Sequence, residues 1–164
     1  MRRARFDLKA RENTAKPLRR VAAKYTETGD ISLEITERER DGIVILDIKG
    51  RLVVGGGATE LRDNVNRIQA SGNTKIVANL AGVDYIDSTG LGTLVICFTS
   101  LQRAGGGLKL CSLNRRNLEL LLLTKLSTVF ELYNDEQDAV NSFFPGREIK
   151  GFDILQFVKT QKQD

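Results

Sequence analysis

The chain has 164 residues and a mass of 18.2 kDa, room for one domain with tails and too little for two of ordinary size. Apolar residues make up 41% and charged residues 28%. That balance supports a buried core, and no apolar run approaches the ~20 residues of a membrane span. Histidine is absent, which excludes imidazole acid–base catalysis, serine–histidine and cysteine–histidine nucleophiles, and histidine metal ligands.

Charge is unevenly spread: residues 1–29 carry a net +6, residues 30–145 a net −3 and residues 146–164 a net +1. The first segment has Pro17, scattered Arg and Lys and no hydrophobic period, so it reads as a basic arm, disordered or loosely helical. Only Phe6 and Tyr25 interleave its charges, too few for a nucleic-acid stacking surface, and direct DNA binding is not expected. A solvated tail explains the arm equally well. No apolar stretch follows the basic start, so it does not read as a secretory signal.

Ile31, Leu33 and Ile35 alternate with Ser32, Glu34 and Thr36, the pattern of a half-buried strand. Asp41-Gly42 separates this run from Ile43-Val44-Ile45-Leu46-Asp47-Ile48, a hairpin signal. Gly50 is expected to close the second strand, and Gly55-Gly56-Gly57 to lie in a loop. Leu61, Val65 and Ile68 then predict an amphipathic helix ending at Ser71-Gly72. A short buried strand follows over 75–80. After a loop, Leu91, Leu94, Val95, Phe98 and Leu101 place a helix over 88–103. Residues 108–111 read as a strand, 114–123 as a helix with a leucine stripe, 129–133 as a last strand and 135–144 as a last helix. Strands separated by helices argue for one mixed α/β sheet. The extension 146–164, with Phe152, Ile154, Leu155, Phe157 and Val158, suits either an extra helix or pairing with a second subunit. Cys97 and Cys111 sit among apolar neighbours and read as inert buried thiols of a reducing, cytoplasmic compartment.

The segment Asp84-Tyr85-Ile86-Asp87-Ser88-Thr89-Gly90-Leu91-Gly92 stands out. Asp87, Ser88 and Thr89 are good N-cap residues, and a helix starting there presents unpaired N–H groups. Gly90 and Gly92 cost helix propensity, roughly 1 kcal/mol each relative to Ala. That cost suggests clearance for another surface or a phosphate, although a capped helix packing small residues against a neighbour accounts for the same pattern.

In this context Asp87-Ser88-Thr89-Gly90-Leu91-Gly92, after a strand and before an amphipathic helix, resembles the signature of the STAS family, and within it the bacterial anti-sigma factor antagonists. The resemblance spans roughly residues 31–144 and includes the element order. It implies one STAS-like domain over 30–145, with a mixed, mostly parallel sheet of about five strands and helices packed on it. It also implies that Ser88 is phosphorylated by an anti-sigma factor that is itself a Ser/Thr kinase, with Thr89 a weaker candidate. Asp87, Ser88, Thr89, Gly90, Leu91, Gly92 and Arg51 would meet that partner. The function implied is release of a sigma factor when the unphosphorylated protein takes up the anti-sigma factor: a binding role, not catalysis, with no cofactor and no metal. Family members often carry an acidic residue after the glycine that ends the second strand, where this chain has Arg51.

Three rival functions stand beside this reading. No carboxylate pair is tied by spacing to one pocket, which disfavours an enzyme. Neither glycine-rich stretch is followed by Lys-Ser or Lys-Thr, so a nucleotide-binding regulatory module lacks its phosphate loop. A cytosolic STAS subunit of a membrane lipid or anion transport complex would share the fold and have a different partner.

Overall fold

The computed structural model describes residues 19–20, 24–25 and 31–150. Five strands form the body of the sheet: β3 (Ile31–Arg40), β4 (Ile43–Leu52), β5 (Lys75–Ile86), β6 (Gly107–Cys111) and β7 (Glu131–Tyr133), side by side in that order. β3 and β4 pair antiparallel, while the β4–β5, β5–β6 and β6–β7 pairs are parallel. The parallel pairs require crossovers, supplied by α1 (Gly56–Ala70), α2 (Ser88–Arg103) and α3 (Arg115–Leu123). A fourth helix, α4 (Glu136–Asn141), follows β7.

The hairpin turns at Asp41-Gly42, where both residues take positive φ, 54° and 83°, and Arg40 pairs with Ile43 across it. This is the two-residue turn that Asp-Gly favours. The apolar alternation of β3, β4 and β5 then sends Leu33, Ile35, Val44, Leu46, Ile48, Ile76, Ala78 and Leu80 to one face. There they meet Leu61, Val65 and Ile68 of α1, Leu91, Leu94 and Leu101 of α2, and Leu118 and Leu121 of α3. Each such leucine or isoleucine contributes about 1.5–3 kcal/mol on burial. The opposite face buries Ile43, Ile45, Val77 and Cys111 under Ala139 and Val140 of α4. Beside them Arg38 donates to Asp47 (2.7 Å) and to Glu136, tying β3, β4 and α4 together, and Asn79 donates to Asp47 at 2.9 Å.

Several expected boundaries move. Gly50 does not close β4. It sits inside the strand at φ 107°, beside a register shift, and the strand runs on to Leu52. β5 does not stop near Leu80 but continues to Ile86, pairing with β4 as far as Leu52. Gly56 and Gly57 belong to α1 and not to a loop. A methyl at Gly57 would lie 2.7 Å from the Arg51 carbonyl oxygen, so a side chain there would push the helix start off the strand end. The last strand is shorter than 129–133, because a 3-10 turn at Leu126–Thr128 precedes it, and the last helix ends at Asn141. Within the basic arm, two short strands not expected from the sequence, β1 (Arg19–Arg20) and β2 (Lys24–Tyr25), pair antiparallel with β3. The apolar residues 152–158 and the subunit pairing suggested for them lie outside the described residues.

Candidate functional site

Because β5 is long, Asp87 follows its last residue directly and α2 begins at Ser88. Asp87 has extended backbone, with φ −94° and ψ −178°, the conformation of an N-cap. Its carboxylate does two jobs. Oδ1 accepts from the Gly90 N–H at 2.8 Å, capping α2, and Oδ2 accepts from the Val54 N–H at 2.9 Å. The backbone adds a third tie, the Asp87 N–H donating to the Leu52 carbonyl at 3.2 Å. The loop after β4 and the start of α2 are thereby locked together.

The partial burial of Asp87 opposes its charge, but the N–H groups of Val54, Gly90 and Thr89, with the nearby Arg51 guanidinium, outweigh that and hold its carboxyl below the usual value. Asp87 stays ionised at neutral pH.

Ser88, the first residue of the helix, is exposed, as is Thr89. Among the described residues nothing hydrogen-bonds the Ser88 hydroxyl. The two glycines that follow differ. A methyl on Gly90 would overlap the Leu52 carbonyl oxygen and lie 2.8 Å from its carbon, whereas around Gly92 nothing comes within 4 Å. Gly90 lets α2 seat on β4, and Gly92 is a bare spot on the outer surface. From Ser88 the line of positions four apart runs through Gly92 to Ile96, which is 53% exposed. Val54, held next to Asp87, is 67% exposed. Further along α2, an open groove of about 600 Å³ lies between α1 and α2, lined in part by Gln69, Val95, Ile96 and Thr99.

A family model for the STAS domain matches residues 34–139. The chain belongs to the STAS domain family. As a STAS domain it is 34% identical over 107 residues to the anti-sigma-B factor antagonist of Listeria monocytogenes, covering 65% of this chain and 92% of that protein. It is 30% identical over 103 residues to the anti-sigma-B factor antagonist of Bacillus subtilis, covering 63% of this chain and 91% of that one. The crystal structure of a Thermotoga maritima protein described as a candidate anti-sigma factor antagonist superposes with a TM-score of 0.62 at 28% identity, covering 65% of this chain and 92% of that one.

Within this STAS domain the expected site residues divide into two groups. Ser88, Thr89 and Arg51 are exposed and Gly92 is half-buried, while Gly90 and Leu91 are buried. Leu91 is a core residue, so it supports the surface without forming it. Ile96 and Arg116 are not among the expected site residues, and Tyr85 is so only as part of the segment 84–92. Ile96 was detectable as the one apolar residue of α2 off its buried stripe. The fold brings Arg116 up to Tyr85, beside the site.

Both cysteines are buried. Burial pushes each thiol up to about 11, as inert packing requires. Among the described residues no group of His, Cys, Asp or Glu is placed to hold a metal, and no helix is long and apolar enough to cross a membrane.

Proposed function

We propose that this STAS domain is an anti-sigma factor antagonist switched at Ser88. The unmodified protein docks an anti-sigma factor kinase on the surface formed by Val54, Ser88, Thr89, Gly92 and Ile96. The kinase then releases its sigma factor, and phosphate transfer to Ser88 ends the interaction. The observation that carries this reading is the exposed Ser88 hydroxyl, unbonded among the described residues, at the first position of a capped helix, beside an open glycine and two exposed aliphatic side chains. The names of the relatives point the same way.

The chemistry of the switch follows from the site. Phosphorylation adds about −1.5 to −2 charges and three strong acceptors. The start of α2 tolerates that charge, since the positive end of the helix dipole faces it, so the fold survives. A partner that covers Ser88 must strip water from the phosphate next to the ionised carboxylate of Asp87, and burying unpaired charge is costly. One modification therefore ejects the partner without unfolding the domain.

The test is incubation of the full chain with ATP and a cognate anti-sigma factor kinase, with the phosphate located by mass spectrometry. A single phosphate on Ser88, lost in Ser88→Ala, is expected. Transfer to a residue other than 88 or 89 overturns the assignment.

A further inference from the structure

Beside the start of α2 is a second surface that the switch does not use. Arg51 pairs in register with Tyr85 across β4 and β5, and its guanidinium lies 5.7 Å from the Tyr85 ring centroid. Arg116, from the first turn of α3, lies 6.0 Å from the same ring. All three residues are exposed. Several arginines and lysines of the domain meet carboxylates, among them Arg38 and Arg40 at Glu136, Arg67 at Glu37, Lys109 at Glu131 and the neighbouring Arg115 at Glu119, while Arg62 and Arg103 meet none among the described residues and lack a shared ring. Among the described residues Arg51 and Arg116 make no such ion pair.

The placement of these two arginines is built into the fold. β5 projects past the end of β6, whose pairing stops at Asn79–Cys111, so the strand end holding Tyr85 has no neighbour strand on that side. The start of α3 fills the space. Asn114 and the buried Asn117 both donate to the Val83 carbonyl, at 3.0 and 2.9 Å, and the Asn114 side chain accepts from the Asn117 N–H at 2.8 Å. These bonds hold the first turn of α3 against β5, and with it Arg116 against Tyr85. Two planar guanidinium groups thus lie within 6.0 Å of one ring, carried on elements that these bonds fix, and neither meets a carboxylate among the described residues. Guanidinium groups held in this way suit bidentate carboxylates, and ordering them beforehand lowers the entropy lost on binding.

We propose that the Arg51–Tyr85–Arg116 platform binds an acidic segment of the partner protein. The nearby carboxylates are Asp87, whose oxygens are taken by N–H groups, and the exposed Asp84; Glu119 belongs to Arg115. The inference rests on the proposed docking reading only in assigning both surfaces to one partner. The charge chemistry of the platform stands without phosphorylation.

The experiment titrates the full-length, isotope-labelled chain with a blocked hexaglutamate peptide and follows backbone amides and arginine Nε–H signals by NMR, with Ser88→Ala alongside. Saturable shifts at Arg51, Tyr85 and Arg116 are expected in both proteins. The double variant Arg51→Gln/Arg116→Gln weakens binding about tenfold, a few-fold for each exposed charge contact, and Arg62→Gln/Arg103→Gln leaves it unchanged. Shifts confined to residues 1–29, or equal affinity in the double variant, overturn the proposal. So does a response of Arg51 to phosphate on Ser88 without any response to the peptide, which would make the platform an internal phosphate clamp. Failure of Ser88 as the modified residue leaves this titration intact, because Ser88→Ala is one of the forms titrated.

Discussion

Gly90 and Gly92, two residues apart in the first turns of α2, should respond in opposite ways to the same added methyl. At Gly90 the methyl collides with the Leu52 carbonyl, lying 2.8 Å from its carbon and 3.0 Å from Leu52 Cγ. The obstacle is mostly backbone, so relief requires α2 to lift from β4 and strains the Asp87–Leu52 hydrogen bond. Overpacking of this kind costs about 1–3 kcal/mol or more, and the gain in helix propensity offsets up to about 1 kcal/mol. A net loss of about 2 kcal/mol is expected for Gly90→Ala. At Gly92 nothing lies within 4 Å, so only the propensity gain remains and Gly92→Ala stabilises by about 0.5–1 kcal/mol. At about 4 °C per kcal/mol for a domain of this size, thermal unfolding should fall by about 8 °C for Gly90→Ala and rise by about 2–4 °C for Gly92→Ala. Gly92→Ala should nevertheless bind the partner more weakly, because its methyl projects into the docking surface. Differential scanning calorimetry gives the first pair of numbers and partner titration the last. Equal shifts of the same sign in both variants would refute the division between a packing glycine and a surface glycine.

Ser88→Asp should lower affinity for the kinase while moving the unfolding temperature by no more than about 1 °C, since a carboxylate at a helix start is tolerated; a large drop seen by calorimetry would mean that Ser88 packs and does not signal. Asp87→Ala removes both a cap and the tie to Val54 and should cost about 1–2 kcal/mol in denaturant unfolding. The Asp87 carboxyl titrates below its ordinary 3.8 in the folded chain, so its contribution to stability is complete above that pH and disappears as pH falls through the lower folded value. An NMR-observed midpoint at or above the ordinary value would contradict this. Cys97 and Cys111, with thiols pushed up to about 11, should resist Ellman's reagent at pH 8 until the protein unfolds.

The sequence announced most of this fold where periodicity and turn chemistry act locally. Asp41-Gly42 specified the hairpin, and the stripes of Leu61–Val65–Ile68 and Leu94–Leu101 located α1 and α2 on the sheet. It was silent where geometry depends on distant parts of the chain. β5 beyond Leu80 passes through Ala81-Gly82 and the exposed Asp84-Tyr85, so its alternation fades, and only pairing with β4 keeps it extended to Ile86. Gly56 and Gly57 look like loop residues because glycine is a poor helix former, yet the approach of Arg51 requires one of them inside α1. β1 and β2 are two residues each, shorter than any periodic signal. The place of Ser88 at a helix start was legible because an N-cap motif is local. The burial of Leu91 follows from its place on the core-facing stripe, and the Arg51–Tyr85–Arg116 platform joins three elements that no linear pattern connects.

The most direct measurement is calorimetric titration of the cognate anti-sigma factor with two preparations of this chain, one unmodified and one carrying phosphate on Ser88 alone. Saturable binding by the first and affinity at least about a hundredfold lower for the second is the predicted result, the scale of a buried unpaired charge. Indistinguishable affinities from two equally folded preparations would contradict the account.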